Sequence, residues 1–409
     1  MIIIHAVKTL SRLASPALSA AGRAMPVVVL TGARQTGKST LARVAGGDRP
    51  YLSLDDLDVL EQATREPDAL VRRAPRLTLD EVQRAPSLLL AVKRAVDGQR
   101  RRGRFLLTGS ANLLLMTTVS ESLAGRASYL TLWPMTRREQ RGLGRCGLWQ
   151  ELLDTRDERW VDVLDSHRLD SEDWRGLARR GGYPTPALEL AAADRETWFS
   201  GYAQTYLERD VHQLSAVSSL PDLRRLMRAV CLRLGQLVNQ TELGRDVALP
   251  QPTVHRWLNL LEASYQLVRL PAYSVNRTKR LIKAPKLYWS DTGLALHLSG
   301  GEPGGPHLEN LVLCDLLAWR DGHVARRPEV LYWRTATGEE VDFVIEAGES
   351  LLPIEVKATP RPRTGDITHL LSFREEYGAR CRPGLLLHTG TTVEWLHPGV
   401  LAAPWWALL

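Results

Sequence analysis

The order of apolar and polar positions along the chain predicts an α/β domain at its start. Val27–Thr31 is a continuous apolar and β-branched run, which is typical of a strand buried on both faces of a sheet. Three shorter runs of this kind follow, at Tyr51–Asp55, Leu77–Asp80 and Arg104–Thr108. Helical patterns, for example over Leu88–Val96, separate these runs. Strands that alternate with helices imply a parallel sheet with right-handed crossovers, and we place this domain at residues 1–149.

A polar and largely helical pattern over residues 150–235 begins the next region, which we place at residues 150–298. Within them, Leu237–Asp246, the turn Val247–Pro250 and Gln251–Glu262 have the lengths of a helix-turn-helix. The second helix of such a motif can enter the major groove of DNA. Its exposed reading residues would be Thr253, His255 and Arg256.

Two predicted strands follow the helix-turn-helix, at Tyr265–Leu270 and Pro285–Trp289. The basic stretch Asn276–Arg280 lies between them, so the segment is typical of a wing whose loop contacts phosphates. The alternative is a winged-helix module that only packs against its neighbours in the chain. Contact with DNA or RNA therefore rests on charge and not on fold.

The residue pattern of the C-terminal region predicts a further α/β domain. The Gly- and Pro-rich segment Ser299–Pro306 is typical of a linker. A helical pattern over Leu308–Trp319 comes after it. Strands are predicted at Val330–Arg334, Glu340–Ile345 and Leu351–Lys357, before a final helix and strand. We place this third domain at residues 299–409.

Composition narrows the class of protein. The length of 409 residues suits two or three domains, and the net charge of +7 predicts attraction to polyanions such as nucleic acid, nucleotide or an anionic surface. The 4 cysteines are widely spaced and form no C-x-x-C pair, which favours a reduced, cytoplasmic protein without a zinc site. No apolar run is long enough for a transmembrane helix, so no membrane association is predicted.

A glycine-rich loop of the pattern G-x-x-x-x-G-K-[ST] joins the first predicted strand to the next helix. In this pattern backbone N–H groups surround a phosphate at a helix N-terminus, where the helix dipole also favours anions. We predict that Lys38 contacts the β- and γ-phosphates of ATP and that the Ser39 hydroxyl binds Mg²⁺. The predicted ATP-binding residues are Gly32, Ala33, Arg34, Gln35, Thr36, Gly37, Lys38, Ser39 and Thr40.

Adjacent acids end the strand predicted at Leu77–Asp80. Asp80 is predicted to hold Mg²⁺ through water, and Glu81 to polarise the water that attacks ATP. Glu81 is the reason to predict hydrolysis and not binding alone. After the next strand, Ser110 or Asn112 could hold the same water or sense the γ-phosphate, and ordinary turn chemistry explains both residues almost as well.

Residues 25–140 resemble the ATPase domain of a widespread prokaryotic family in the AAA+ superfamily. The segments that carry the resemblance are TGARQTGKST (31–40), LSLDD (52–56), LTLDEVQRAP (77–86), FLLTGSA (105–111) and SLAGRA (122–127). It implies that the acid pair serves as Walker B, the polar residue after the fourth strand as sensor 1, and Arg126 as a γ-phosphate-sensing arginine. A surface salt bridge would explain Arg126 equally. If Arg126 acts on a neighbouring subunit, the protein must form a homo-oligomer.

The C-terminal region contains a second set of candidate residues, which are Glu309, Asp342, Glu355 and Lys357. Alternation along the strand places Glu355 and Lys357 on one face. Two acids can share a hard divalent cation, while a nearby lysine orients or deprotonates water. The set resembles PD-(D/E)XK restriction-endonuclease-like domains, in which Glu309 would be the extra acid on the first helix. The same scaffold could instead bind nucleic acid or a protein without cleavage.

These features lead to three hypotheses. The first is a Mg²⁺-dependent, ATP-binding and ATP-hydrolysing AAA+-type protein that couples nucleotide state to the binding of nucleic acid or protein. The second is an ATP-regulated, metal-dependent nuclease with a second divalent cation in the C-terminal domain. The third is a nucleotide-gated interaction switch with little turnover.

Overall fold

The computed structural model of the chain describes residues 10–109, 123–207, 219–323 and 327–409. The chain separates into two compact units, Met1–Cys146 and Gly147–Leu409. The boundaries predicted for three domains stay predictions, and the segments 150–298 and 299–409 lie together in the second unit. In the part of the chain that is described, no helix is long and apolar enough to cross a membrane.

The first unit contains a five-stranded parallel sheet in the order β2-β3-β4-β1-β5. Its strands are β1 (Val27–Thr31), β2 (Tyr51–Ser53), β3 (Leu77–Asp80), β4 (Phe105–Thr108) and β5 (Ala127–Thr131). Its described helices are α1 (Ala14–Ala24), α2 (Lys38–Gly46), α3 (Leu57–Arg65), α4 (Pro67–Val71), α5 (Leu88–Gly98) and α6 (Arg137–Gln140). The predicted parallel sheet is confirmed, and β5 is an edge strand that the apolar pattern did not predict.

The apolar run of β1 is buried along its whole length because both faces of the sheet are covered. Val27 and Val29 belong to one apolar cluster of the unit. Val28 and Leu30 belong to a second cluster, which includes side chains of α1 and α2. Alternate side chains of β1 therefore pack into two different apolar cores, one on each face of the sheet. This packing fixes the carboxyl end of β1, where the glycine-rich loop begins.

The second unit begins with helices. Its described helices before residue 300 are α7 (Trp149–Asp154), α8 (Trp160–Ser166), α9 (Trp174–Arg180), α10 (Pro184–Leu188), α11 (Ala192–Tyr202), α12 (Leu220–Cys231), α13 (Gln240–Asp246), α14 (Gln251–Ala263), α15 (Arg277–Ile282) and α16 (Thr292–Ser299). Strands β6 (Leu267–Leu270) and β7 (Lys286–Trp289) form an antiparallel pair. The basic stretch Asn276–Arg280 was predicted as the loop of a wing, and this prediction was wrong. Most of it is helical, since Asn276 caps the short helix α15 through its side chain.

The rest of the second unit is a six-stranded mixed sheet in the order β12-β13-β11-β10-β9-β8. Its strands are β8 (Glu329–Arg334), β9 (Glu340–Ala347), β10 (Ser350–Lys357), β11 (Gly384–His388), β12 (Glu394–His397) and β13 (Val400–Pro404). Its helices are α17 (Gly305–Asp321), α18 (Thr368–Tyr377) and α19 (Trp405–Leu408). The expected α/β architecture is present. Strands β9 and β10 are antiparallel neighbours, as the hairpin-like segment between them predicted.

Candidate functional site

The glycine-rich loop follows β1 and leads directly into α2. Two of its glycines have backbone angles that favour glycine, with φ of 136° at Gly32 and 93° at Gly37. A Cβ atom at Gly32 would lie 2.3 Å from the carbonyl oxygen of Leu132, so the loop has no room for a side chain there. Gln35 also has a positive φ, of 58°. The loop thus has the closely curved backbone that a phosphate cradle requires.

Lys38 is the first residue of α2 and is only 6% exposed. Its ammonium donates hydrogen bonds to the carbonyl oxygens of Gly32, at 3.1 Å, and Ala33, at 2.7 Å. Burial lowers the pKa of Lys38 to about 8, although the nearby charges of Glu81 and Asp80 oppose this shift. The cation therefore lies over the loop and close to the acid pair.

Asp80 ends β3 and accepts hydrogen bonds from three hydroxyl groups. The Ser39 hydroxyl donates to its Oδ1 at 3.1 Å, and Thr108 donates to the same oxygen. The Tyr51 hydroxyl donates to Oδ2. Burial, together with this bond to Asp80, raises the pKa of Tyr51 to about 12, so the phenol is a donor at neutral pH. The motif residues Ser39 and Asp80 are thus brought together, while Tyr51 and Thr108 were missed.

Glu81 follows β3 with φ of 56°, a left-handed conformation that is uncommon for a residue with a side chain. Its carboxylate accepts a hydrogen bond from Gln83. Burial raises the pKa of Glu81, and the charge of Asp80 adds to this, whereas Gln83 and Lys38 oppose it. A half-buried carboxylate with a raised pKa, held beside Asp80, is chemically suited to accept a proton from water.

A buried ion pair supports the loop from a segment that sequence reasoning missed. Arg12 precedes α1, and its guanidinium donates to the carbonyl oxygen of Thr36 at 2.7 Å and to that of Trp133 at 2.8 Å. It also pairs with Glu139 of α6 at 2.9 Å. All five donors of an arginine are fixed in one plane, so this residue holds the loop against the chain after β5. No sequence motif marks this role.

Arg126 lies immediately before β5, at the amino edge of the sheet, where its carbonyl oxygen accepts from the backbone of Val27. Its guanidinium forms a bidentate pair with Asp97, with N–O distances of 2.6 and 3.0 Å. The loop at Gly32 follows the opposite, carboxyl edge. Strand β1 spans roughly 13 Å between these edges, so Arg126 is not positioned on the loop of its own chain. Ser110 and Asn112, the candidates for sensor 1, lie outside the described residues.

The candidate C-terminal residues are also brought together. Asp342 and Glu355 lie on the paired strands β9 and β10, and the Val356 N–H donates to the Asp342 carboxylate at 2.9 Å. Lys357 pairs with Glu355 at 2.6 Å. Burial and the charge of Asp342 raise the pKa of both Glu309 and Glu355. The cluster is therefore closely packed and rich in carboxylates.

Lys286 of β7 lies inside this cluster and was missed by sequence reasoning. Its side chain is 1% exposed, and its ammonium lies 3.2 Å from Glu309, 2.6 Å from Glu340 and 3.3 Å from Asp342. The neighbouring Tyr288 hydroxyl also donates to Glu309. A lysine is thus the counter-ion of the acids that were expected to share a cation.

This arrangement does not fit a second divalent cation. Carboxylate oxygens that would serve as ligands already contact the Lys286 ammonium, and a cation between them would meet a like charge. Over the ranges that the structure covers, no group of three or more His, Cys, Asp or Glu side chains is arranged to hold a metal ion. The assignment of Glu309, Asp342, Glu355 and Lys357 to a nuclease site stays a prediction.

The helix-turn-helix residues are only partly placed as predicted. His255 and Arg256 of α14 are exposed, whereas Thr253 is half-buried. Arg280, from the basic stretch, is buried and pairs with Glu329 at 2.7 Å and with Glu346 at 2.6 Å. Arg280 therefore neutralises the protein's own carboxylates and is not available to a phosphate backbone.

Comparison with protein families divides the chain into three matched segments. Residues 24–140 match the model of an AAA domain. Residues 171–304 match a domain of unknown function (DUF8612), and residues 304–408 match another (DUF4143). The first segment, with its parallel sheet and glycine-rich loop, is an AAA-type P-loop ATPase domain. The restriction-endonuclease-like fold finds no support in these matches.

The chain is similar along most of its length to proteins from bacteria. Uncharacterized proteins of Mycobacterium tuberculosis and Mycobacterium bovis are each 32% identical to it over 349 residues, which cover 82% of this chain and 71% of theirs. Among solved structures, the Walker-type ATPase of Pyrococcus abyssi aligns with 71% of this chain and 98% of its own, at 15% identity and a TM-score of 0.44.

Proposed function

The chain belongs to the family of the two mycobacterial proteins, and from this premise and the geometry of its loop we propose that it binds and hydrolyses ATP. The observation that carries the proposal is the contact between the loop and the acid pair. Ser39 and Asp80 are far apart in sequence, yet their oxygens lie 3.1 Å apart at the carboxyl edge of the sheet. Ligands bind at this edge in parallel α/β sheets.

Each residue has a defined part in this proposal. The loop N–H groups and Lys38 hold the phosphates of ATP, the Ser39 hydroxyl binds Mg²⁺, and Asp80 holds Mg²⁺ through water. Bound Mg²⁺ supplies positive charge that stabilises the phosphate being transferred. Glu81 accepts the proton of the attacking water, which its raised pKa favours. Thr108 and Tyr51 fix the orientation of the Asp80 carboxylate.

We further propose that Arg126, if it contacts ATP, does so on a neighbouring copy of the chain. Its position at the amino edge of the sheet supports this, because the loop of its own chain begins at the other edge. Coupling of the nucleotide state to a nucleic acid or protein partner is part of the same proposal, and the exposed His255 and Arg256 are its candidate contacts. Nuclease activity is not part of it, since the Lys286 ammonium contacts carboxylate oxygens of Glu309 and Asp342 that a metal ion would need.

The test is Mg²⁺-dependent phosphate release by the wild type, Lys38→Ala and Glu81→Gln. Lys38→Ala should abolish ATP binding and release together. Glu81→Gln should retain ATP binding but release phosphate about a hundredfold or more slowly, because a general base contributes that much. Glu61→Gln serves as the matched control, since Glu61 is an exposed acid of α3 in the same domain. A wild-type protein that binds ATP without turnover would instead support the nucleotide-gated switch.

A further inference from the structure

A cavity of the first unit lies at the amino edge of the five-stranded sheet. It has a volume of about 410 Å³, within the range of small-molecule sites. Its apolar floor comes from Leu18 of α1 and from Val28 and Leu106, which are near the amino ends of β1 and β4. The glycine-rich loop follows the carboxyl end of β1, so this cavity is separate from the proposed ATP site.

Four arginines surround the cavity, and each comes from a different part of the chain. They are Arg23 in α1, Arg49 before β2, Arg76 before β3 and Arg102 before β4. Among the residues that the structure describes, none of the four has a carboxylate within 4.0 Å, although many other arginines of the chain form such pairs. Their positive charges therefore line the cavity without a carboxylate partner among the described residues.

Arg49 gives the clearest indication that the cavity has a missing counter-ion. Its side chain is half-buried, and its Nε has neither solvent exposure nor a hydrogen-bond partner in the structure. Burial, and then the positive charge of Arg76, lowers the pKa of Arg49. A buried guanidinium N–H without an acceptor is costly, and so is a like charge beside it. An anion in the cavity would relieve both costs.

Helix dipoles offset only part of the positive charge of the four arginines. The C-terminal ends of α1 and α2 lie at the same edge of the sheet, and each carries about half a negative charge. The two helix ends together carry about one negative charge, which about one arginine would offset. About three of the four positive charges of the arginines remain without compensation. That surplus corresponds to a ligand with at least two phosphate groups, because guanidinium pairs with phosphate in a bidentate manner.

We propose that this arginine-lined cavity binds a phosphate-bearing anion at a site distinct from the glycine-rich loop. The ligand carries two or more phosphate groups, either in a free polyphosphate compound or in the backbone of a nucleic acid. The apolar floor suits the sugar or base of such a ligand, and the arginines hold its phosphates. The site adds a second anion-binding position to the domain on the edge opposite to ATP.

The experiment measures binding in the Lys38→Ala background of the full chain, so that the glycine-rich loop contributes little. Calorimetry with pyrophosphate and fluorescence anisotropy with a labelled oligodeoxythymidylate provide the two arms. Arg49→Ala, and separately the double change Arg76→Ala with Arg102→Ala, should each weaken binding about tenfold or more, since a hydrogen bond to a charged group is worth that much. Arg76 and Arg102 are exposed, so the double variant should stay folded. It therefore keeps the test valid even if the half-buried change Arg49→Ala unfolds the protein.

Arg65→Ala is the control, because Arg65 is an exposed arginine of α3 that pairs with Glu61 in the same domain. It removes one positive charge, as Arg49→Ala does, without touching the cavity, and it should change binding less than twofold. Loss of pyrophosphate binding alone identifies a free phosphate compound, and loss in both arms identifies a nucleic acid. If the cavity variants bind both probes as tightly as Arg65→Ala does, the proposed site does not exist. This result is independent of whether Lys38 supports ATP hydrolysis.

Discussion

Three hydroxyl groups determine the orientation of the Asp80 carboxylate, and the Tyr51 hydroxyl is the one that contacts Oδ2. The change Tyr51→Phe removes this donor and leaves Oδ2 free to rotate away from its position. A hydrogen bond to a charged group contributes about 1.5 kcal/mol or more, so the Mg²⁺ concentration for half-maximal ATP hydrolysis should rise about tenfold. Phosphate release measured across a Mg²⁺ titration checks this result.

Tyr129→Phe is the matched control for Tyr51→Phe. Tyr129 lies on β5 of the same sheet, and its buried hydroxyl has no hydrogen-bond partner among the residues that the structure describes. Its removal should therefore leave the Mg²⁺ requirement unchanged. An equal effect of both changes would mean that the phenols act through packing and not through Asp80.

At this scale the sequence predicted the residues that belong to short motifs. Ser39 and Asp80 could be paired from the sequence alone, because the loop and the acid-ended strand each have a recognisable pattern. Tyr51, Thr108 and Arg12 could not be found in that way. Their roles depend on strand order and on contacts between segments that are distant in sequence. The spacing of residues within a short motif indicates neither of these.

At the scale of elements, β7 brings Lys286 into an acidic cluster formed by α17 and β9. Lys286→Met would leave the carboxylates of Glu309, Glu340 and Asp342 without their common counter-ion. Breaking a buried ion pair from one side costs about 3 to 5 kcal/mol. We expect a loss of this size in the free energy of unfolding of the second unit, measured by urea denaturation.

Lys283→Met is the control for Lys286→Met, because Lys283 is an exposed neighbour in the same segment. Its loss should change the free energy of unfolding by less than about 0.5 kcal/mol. MnCl₂ should not stabilise the wild type in the absence of nucleotide, since the ammonium contacts the oxygens that a cation would need. Stabilisation of the wild type by MnCl₂ that disappears in Asp342→Asn would restore the hypothesis of a C-terminal metal site, because Asp342 is one of the two acids that would share the cation.

The elements themselves were predictable where one residue pattern dominates. Strands β1, β3, β4, β9 and β10 were predicted within a few residues because their apolar runs are buried on both faces. Strand β5 was missed because most of its residues are only half-buried. The basic stretch became the helix α15 because Asn276 caps it and Arg280 finds acidic partners that lie far along the chain.

At the scale of the whole molecule, the open question is whether two copies share an ATP site. The net charge of +7 gives no answer, because many arginines are neutralised within the chain, as Arg280 is by Glu329 and Glu346. Arg126 tests more directly than the net charge whether two copies share an ATP site. Its bidentate pair with Asp97 is partly exposed, so a neighbouring copy could offer a phosphate in place of the carboxylate.

If Arg126 acts on a neighbouring copy, Arg126→Ala should reduce ATP hydrolysis about a hundredfold or more while ATP binding persists. Mixing this variant with Lys38→Ala should then recover activity. In a one-to-one mixture of a head-to-tail ring, about a quarter of the sites combine an intact loop with an intact arginine. Steady-state phosphate release of the mixture, compared with each variant alone, measures this recovery.

The matched control for the mixing experiment is Arg94→Ala. Arg94 forms the same type of bidentate pair with Asp68 on the surface of this unit, so its removal tests the loss of an ion pair alone. Full activity of Arg126→Ala would reduce Arg126 to a surface salt bridge of the same kind. Inactivity of Arg126→Ala without recovery in the mixture would mean that the arginine serves its own subunit, which its position at the amino edge of the sheet argues against. Recovery therefore requires both an assembled protein and an arginine that reaches the loop of its neighbour.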